Sequence, residues 1–298
     1  MKQLGSGLMN GMLLFLSIIW GFNFVMMKLG NDAFPPVLFA TYRFMLGAVV
    51  LFGVSYLKKV PFPSKRELKW YIVCGLLQTT YFNIAIQVSL NHIDAGLTSV
   101  LTYSMPLFLS IMAHYFIPGE RLTMRMTGGI IIGILGLFLS MDIQLGGGIW
   151  FPLLALSSAV TWAISSLIFK IKLRGSNSLQ FTTWQMAIGA VGLFLYTIFF
   201  EQGESHWSMA AIGYLLYSGV LASALAFVIW SNVLAKVEAS KASISLLLVP
   251  VVGTLSGILF LHESLSAKAL LGILFVLAGV WLVNSKAPEK QSLSYQKK

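Results

Sequence analysis

The stretch WGFNFVMMKLGNDAFPPVLFATYRFMLGAVVLF, residues 20–52, decides the fold, because it recurs as WAISSLIFKIKLRGSNSLQFTTWQMAIGAVGLF at residues 162–194. The two copies align without a gap. The residues identical in both are Trp20, Lys28, Phe39, Thr41, Gly47, Ala48, Val49, Leu51 and Phe52, matched by Trp162, Lys170, Phe181, Thr183, Gly189, Ala190, Val191, Leu193 and Phe194. The chain therefore consists of two related halves.

The repeat continues beyond these stretches after a slip of two residues. Gly75, Ala95, Ser99, Pro106 and Phe116 then match Gly219, Ala239, Ser243, Pro250 and Phe260, and Glu120, Leu122, Gly129 and Gly136 match Glu263, Leu265, Gly272 and Gly279. We expect a first repeat at 8–141, a second at 148–284 and a cytoplasmic tail at 285–298. A repeat of this kind in a hydrophobic chain is typical of proteins with a substrate path between two halves.

Composition predicts an integral membrane protein. Hydrophobic residues make up 57% of the chain, charged residues only 10%, and the mean hydropathy is +0.82. A soluble domain carries about 25% charged residues. The isoelectric point of 9.7 would also suit nucleic-acid binding, but the basic residues are scattered through short loops and form no basic face. We therefore expect a lipid bilayer and no nucleic acid among the partners.

Ten apolar runs approach the roughly 20 residues that a helix needs to cross a bilayer. The first has no small-residue cleavage site and belongs to the repeat, so we interpret it as a retained helix rather than a signal peptide. The runs are 8–28, 35–57, 69–90, 94–117, 123–141, 148–171, 179–200, 208–234, 240–262 and 266–284.

The basic residues orient these spans. With both termini in the cytoplasm, only Lys28 and Lys268 of the 20 Lys and Arg residues face outwards, and Arg43 lies within the second span. Basic residues near span ends favour the cytoplasmic side. Five spans per half also require the second half to insert upside down. The predicted fold is an all-α integral membrane protein with ten transmembrane helices, arranged as two inverted five-helix repeats with both termini inside.

The sequence resembles the EamA-type branch of the drug/metabolite transporter superfamily over residues 10–284. The resemblance rests on IIWGFNFVMMK, on PGERLTMRMTGGIIIGILGLFL after Pro106, and on LLLVPVVGTLSGILFLHESLSAKALLGILFVLAGVWL in the second half. It implies a ten-helix transporter of amino acids or related metabolites in the cytoplasmic membrane of a bacterium, with a small-molecule substrate. It does not identify the substrate, because members of this family move very different molecules.

Polar and aromatic residues within the spans are the candidate substrate-binding residues. Arg43 is the clearest intramembrane charge, and its repeat partner Gln185 is also polar. Such a charge needs a partner or a wet cavity, so Arg43 either anchors a substrate carboxylate or has a structural role. Aromatic walls with a few amides and hydroxyls suit an amphipathic metabolite. The candidates are Trp20, Asn23, Arg43, Gln78, Tyr81, Ser99, Tyr103, Trp162, Ser166, Trp184, Gln185 and Trp230.

Small residues and prolines have separate structural roles. Gly129, Gly133 and Gly136 form a stripe on the fifth helix that we expect to pack closely against the tenth. Pro106 and Pro250 stand at matched points of the fourth and ninth spans, where each is either a conformational hinge or a static kink.

The residue inventory disfavours several other classes of protein. The four histidines are dispersed and no cluster of nucleophiles occurs, so we expect no metal site, no cofactor and no enzymatic activity. No carboxylate lies clearly within a span, which disfavours proton-coupled antiport. A sugar-phosphate or nucleotide-type transporter, a drug transporter and an inert scaffold remain as alternatives, and the oligomeric state is not determined.

The distribution of basic residues predicts which loops are accessible from outside. In cells that carry Ser64→Cys or Ser205→Cys, a membrane-impermeant thiol reagent should label only the second variant, because residue 64 should face the cytoplasm. Labelling of the Ser64→Cys protein in intact cells would reverse the orientation.

Overall fold

A computed structural model describes residues 6–117, 122–140, 148–236, 246 and 248–284. All regular structure in these ranges is helical. Several sequence predictions concern residues outside these ranges, namely Glu120, Ala239, Ser243 and the tail 285–298.

Thirteen α-helices and two π-helical segments make up the described chain. They are α1 (Ser6–Ala33), α2 (Pro36–Leu57), α3 (Lys65–Cys74), π1 (Gly75–Tyr81), α4 (Phe82–Leu90), α5 (Ala95–Thr102), α6 (Met105–Phe116), α7 (Met124–Ser140), α8 (Trp150–Lys172), α9 (Ser178–Phe200), α10 (Met209–Leu216), π2 (Tyr217–Leu225), α11 (Ala226–Lys236), α12 (Leu248–Leu261) and α13 (Ala267–Asn284).

Seven helical stretches in the described residues are long and apolar enough to cross a membrane. They coincide with seven of the ten predicted runs: Gly11–Ala33, Pro36–Leu57, Lys65–Leu90, Ala95–Phe116, Trp150–Lys172, Ser178–Phe200 and Met209–Val233. Shorter apolar helices occupy the fifth, ninth and tenth runs, at Met124–Leu139, Leu248–Leu261 and Ala267–Leu282. The chain is therefore an all-α, multi-pass membrane protein, and its ten crossings stay a prediction.

Local sequence sets where the helices begin. Ser64 accepts the backbone N–H of Glu67, whose carboxylate bonds back to the Ser64 backbone, which is a capping box at the start of α3. Asn177 accepts the backbone N–H groups of Leu179 and Gln180 at the start of α9. Each cap satisfies helix N–H groups that have no partner within the helix.

Both candidate hinge prolines lie in the first turn of a helix. Tyr103 and Ser104 separate α5 from α6 within the fourth span, and Pro106 follows at the start of α6. Pro250 is the third residue of α12. Because proline lacks an N–H, it disturbs no hydrogen bond in a first turn. The fourth span is therefore two helices with a break in front of Pro106, rather than one helix bent by it.

The third and eighth spans each contain a π-helical segment at the same place in the repeat. Gly75 opens π1, and its repeat partner Gly219 lies within π2. A π-helix pairs each N–H with a carbonyl five residues earlier, which rotates the side chains that follow relative to an α-helix. From the sequence, both spans are expected to be continuous α-helices, so the two π segments are a difference that the structure adds.

Close backbone contact holds α2 against π2. A Cβ atom added to Gly47 would lie 3.1 Å from the carbonyl oxygen of Gly219. A Cβ atom added to Gly219 would lie 3.0 Å from the carbonyl oxygen of Arg43. Only glycine permits helices to approach this closely.

The repeat partners of these residues make the equivalent contact between α9 and π1. A Cβ atom on Gly75 would lie 2.7 Å from the carbonyl oxygen of Gln185, and one on Gly189 would lie 2.8 Å from the carbonyl oxygen of Gly75. Each half therefore lays its second span against the π segment of the other half.

Helices α7 and α13 form a separate tight pair, as the glycine stripe predicted. A Cβ atom on Gly136 would lie 2.7 Å from the carbonyl oxygen of Gly272, and one on Gly279 would lie 2.6 Å from that of Gly129. A cavity between the two halves, the central cavity, is lined by residues of other helices. This pair is therefore a scaffold beside the central helices.

We predict that Gly189→Ala lowers the melting temperature of the purified protein in detergent, because the new Cβ would collide with Thr79 and with the backbone of Gly75. Overpacking of this kind costs about 1–3 kcal/mol. The matched control is Gly53→Ala on α2, where nothing lies within 4 Å. That variant should be neutral or slightly stabilising, since alanine favours helix. Equal melting temperatures for the two variants would contradict the close contact.

Candidate functional site

A small cavity lies between the two halves, at the level of the π segments. Its volume of about 30 Å³ is enough for one or two water molecules. It is lined by α1, α2, π1 and α4 from the first half and by α8, π2 and α11 from the second, and the break between α5 and α6 contributes Tyr103. The lining residues are Trp20, Asn23, Phe24, Met27, Arg43, Gln78, Phe82, Ile86, Tyr103, Trp162, Ala222 and Phe227.

Arg43 brings a buried positive charge to this cavity. Its side chain is 4% exposed, and its Nη2 donates a hydrogen bond of 2.8 Å to the Oδ1 atom of Asn83. Asn83 in turn donates to the carbonyl of Thr79 in π1. The Nε and Nη1 atoms of Arg43 have no hydrogen-bond partner, and no described carboxylate forms an ion pair with it. A buried cation with unpaired N–H groups is costly and has strong affinity for an anion.

Two further polar atoms at the cavity are also unpaired. The indole Nε1 of Trp162 is a donor without an acceptor, and the Oδ1 atom of Asn23 is an acceptor without a donor. Buried polar groups in proteins nearly always have partners, so an exception indicates a ligand or a water position. The cavity thus has donors for an anionic group and an acceptor for a cationic one.

Aromatic rings surround Trp20, one of the residues that line the cavity. The ring centroid of Trp20 lies 6.0 Å from that of Trp162, 5.4 Å from Phe227, 6.1 Å from Trp230 and 6.2 Å from Tyr103. The Nε1 atom of Trp20 donates to the carbonyl of Ala222 in π2 at 2.9 Å, which fixes the orientation of its ring. Tryptophan and tyrosine faces attract ammonium groups when water is excluded.

A second, smaller cavity of about 10 Å³ adjoins the first and shares Gln78 and Phe227 with it. It is lined by three more of the predicted candidates, Ser166, Gln185 and Trp230. Gln185 accepts a hydrogen bond of 3.0 Å from the hydroxyl of Thr79. In the second half, the position equivalent to Arg43 is therefore occupied by Gln185, a neutral amide whose side-chain oxygen already accepts a hydrogen bond.

The structure brings nine of the twelve candidate residues to these two cavities and places three elsewhere. Tyr81 is 40% exposed and bonds Ser157 at the outer surface of the helices. In an α-helix Tyr81 would share a face with Gln78, three residues earlier, but π1 rotates the two side chains apart. Ser99 donates to the carbonyl of Gly96 and packs on Gly253. Trp184 lines a different cavity, between α2 and α9.

Sequence reasoning missed several residues of the central cavity. Asn83 positions Arg43, and Phe24 and Phe82 contribute walls. A signal for Asn83 was present, because it is an amide four residues after Thr79 within a predicted membrane span. The phenylalanines gave no signal, since aromatic residues are common throughout the chain.

A cluster around Glu263 joins the halves near the ends of α1 and α5. The carboxylate of Glu263, 5% exposed, accepts hydrogen bonds from Lys28 at 3.1 Å and from the backbone N–H groups of Ala95 at 2.6 Å and Gly96 at 3.1 Å. His262, with φ of 55°, turns the chain so that Glu263 can reach them. A carboxylate at a helix N-terminus is bound by both the free N–H groups and the helix dipole.

Glu201 makes a second contact of this type. It follows α9 and accepts the backbone N–H groups of Val37 and Leu38, both at 2.7 Å, at the start of α2. Burial raises the pKa of Glu201, and these hydrogen bonds oppose the shift. Both carboxylates come from the second half and bind helix starts of the first half, so together they close one end of the interface between the halves.

Comparison with known proteins identifies the family. A sequence model of the EamA-like transporter family matches residues 8–141 and again residues 149–285. The chain belongs to the EamA-like transporter family.

Relatives of this EamA-like protein align along nearly its whole length. An uncharacterised transporter of Bacillus subtilis is 31% identical over 90% of this chain and 93% of its own length. A probable amino-acid metabolite efflux pump of Escherichia coli is 26% identical over 90% and 92%, and a probable terminal-alkyne amino-acid exporter of Streptantibioticus cattleyicolor is 26% identical over 90% and 91%. A crystal structure of a protein 18% identical in sequence matches the fold with a TM-score of 0.67, over 92% of this chain and 95% of the other.

These similarities define the class of protein. The family and the relatives named above are transporters and efflux pumps rather than enzymes. This EamA-like protein is therefore a membrane-embedded transporter of a small molecule.

Proposed function

We propose that this EamA-like transporter exports an amino acid, or a closely related metabolite with a carboxylate, across the cytoplasmic membrane. The observation that carries the proposal is Arg43, whose Nε and Nη1 atoms have no partner in a buried cavity between the halves. A carboxylate would accept from both atoms in the fork geometry that guanidinium groups favour. The indole N–H of Trp162 lines the same cavity and is a third donor.

The ammonium group of an amino acid would also find partners in the cavity. Asn23 has an unpaired oxygen, and the faces of Trp20 and its neighbours form an apolar surface that attracts an ammonium group. The site thus offers complementary groups to both ends of a zwitterion. The aromatic rings would also accommodate an apolar side chain.

The names of two relatives support both the substrate class and the direction. The Escherichia coli relative is a probable amino-acid metabolite efflux pump, and the Streptantibioticus cattleyicolor relative is a probable amino-acid exporter. We extend that activity to this chain because the alignments cover about nine-tenths of it.

The alternative of a sugar-phosphate or nucleotide substrate is less favoured. A phosphate dianion is bound in proteins by several basic groups. Among the described residues that line the central cavity, Arg43 is the only basic one. Lys28 is engaged by Glu263 and by the carbonyl of Ile93.

We further propose that transport proceeds by alternating access between inverted halves. A volume of about 30 Å³ is far below the roughly 300 Å³ or more of a typical ligand pocket, so the halves must separate for a substrate to enter. The contacts of Glu263 and Glu201 would hold the outer end closed in this state. Opening towards the outside requires Glu263 to leave Lys28 and the start of α5.

The first prediction of the proposal concerns Arg43. Counterflow should be measured in three sets of proteoliposomes, preloaded with amino acids, with nucleosides or with sugar phosphates. Only the set preloaded with amino acids should show it. The transporter should discriminate against amino-acid amides, which lack the carboxylate. Arg43→Gln introduces the residue that its repeat partner Gln185 has. It should lower amino-acid transport about 30-fold or more, because it removes one partner of the buried pair between Arg43 and the substrate carboxylate, and such a loss costs about 2–5 kcal/mol. Arg43→Lys should retain a small part of the activity, because it keeps the charge and loses the fork.

The amide comparison separates a binding role from a structural one. If Arg43 binds the carboxylate, Arg43→Gln removes the preference for the acid over the amide while the protein still inserts and remains monodisperse. A variant that keeps this preference, with activity per molecule unchanged, would make Arg43 a structural residue.

The second prediction concerns the closed end. A Lys28→Cys/Glu263→Cys variant treated with a short, reducible bifunctional thiol reagent should stop transporting, and reductant should restore activity. The single-cysteine variants treated in the same way are the controls. Glu263→Gln, which weakens the contacts without a cross-link, should increase labelling of a cysteine at Asn23 from the outside. Normal transport by the cross-linked protein would contradict alternating access through this end.

A further inference from the structure

A third cavity, of about 290 Å³, opens between the C-terminal end of α2 and the N-terminal half of α9. Four of its eight lining residues are aromatic, namely Phe52, Tyr56, Phe62 and Trp184. Trp184 lies 5.5 Å from Phe52 and 5.8 Å from Phe62 between ring centroids. Phe62 is 85% exposed and Tyr56 84%, although both line this cavity. Such exposed rings are stable at a membrane surface, where hydrocarbon covers them.

The repeat shows how the equivalent place at the other end of the described helices is filled. Tyr42 is the repeat partner of Trp184, and at the other end its ring packs 5.7 Å from Trp207. There Phe34, only 2% exposed, fills the space and lies 4.9 Å from Trp207. The repeat partner of Phe34 is Ser176, whose hydroxyl is bonded to Glu67. The niche that phenylalanine fills in one half is therefore open in the other.

Charge also differs between the two ends. The loop beside the filled niche carries Glu201 and Glu204. The loop beside the open cavity carries Lys58 and Lys59, both exposed, between the lining residues Tyr56 and Val60. The backbone N–H of Val60 bonds to the carbonyl of Ser55, so the chain folds back on the end of α2 and the backbone of both lysines stays next to the lining residues Tyr56 and Val60.

We propose that this cavity binds an anionic phospholipid, with an acyl chain against Trp184 and Phe62 and the phosphate at Lys58 and Lys59. The aromatic lining and the size of the cavity suit hydrocarbon rather than a soluble anion, and the paired lysines supply the preference for a negative headgroup. Trp184, a substrate candidate from the sequence, then contacts lipid instead of the transported solute. The proposal does not depend on which solute is moved.

Tryptophan quenching by brominated lipids tests the proposal with the full chain in liposomes. Brominated phosphatidylglycerol should quench the wild-type protein more than brominated phosphatidylcholine at equal mole fraction, and the difference should saturate. Trp184→Phe should remove that difference. Val60→Phe, which fills the cavity without changing charge, should also remove it.

Charge neutralisation provides the second arm. Lys58→Gln/Lys59→Asn should weaken the preference for phosphatidylglycerol by about fivefold per lysine; asparagine suits Lys59, whose φ is 51°. Lys290→Gln/Lys297→Gln removes the same charge elsewhere in the sequence and should leave the preference unchanged. Equal quenching of Trp184 by both lipids, or a preference that survives Lys58→Gln/Lys59→Asn, would overturn the proposal. A dimer that Val60→Phe dissociates would instead identify the occupant as a second copy of the chain.

Discussion

The close approach of glycine backbones between the halves is the constraint on which the other features depend. Gly47 and Gly219 bring α2 against π2, and Gly75 and Gly189 bring α9 against π1. In lipid the hydrophobic effect does not drive helices together, so packing of this kind supplies much of the association energy. A side chain at any of these positions would push a second span away from the opposite half. The cavity between the halves would then lose its walls.

The same contacts explain why the site is asymmetric inside a nearly symmetric frame. Arg43 and Gln185 occupy equivalent places, each with its carbonyl against a glycine of a π segment. Gln185 is bonded to Thr79, whereas Arg43 keeps two nitrogen atoms without a partner. Under the proposed alternating access, the backbones of the two halves would exchange conformations while only Arg43, among the described lining residues, carries a charge at the cavity. A single charge suits a substrate whose two ends differ.

Features that depend on composition and repetition could be predicted from the sequence, and features that depend on helix register could not. The apolar runs, the pairing of α7 with α13, and the presence of Trp20 and Arg43 at a cavity followed from burial cost and residue spacing. Tyr81 was misplaced because nothing in the letters of residues 75–81 distinguishes a π-helix from an α-helix. Asn83 was overlooked because its role is to hold Arg43, and that contact depends on the rotated register.

The π segments also indicate where the closed cavity can expand. The π1 segment crosses α9, and the π2 segment crosses α2. Both contribute to the cavity, through Gln78 in π1 and Ala222 in π2. A π-helical turn has weaker hydrogen-bond geometry than an α-helical turn and often occurs at functional positions. The break before Pro106 places a third irregularity at the same cavity, next to Tyr103. Rearrangement at Gln78, Ala222 and Tyr103 would enlarge the cavity under the proposed mechanism, while Gly75 and Gly219, three residues before Gln78 and Ala222, keep their backbone contacts as pivots. Substrate binding would therefore widen the site by rearranging irregular backbone, whereas the closely packed α7 and α13 stay together.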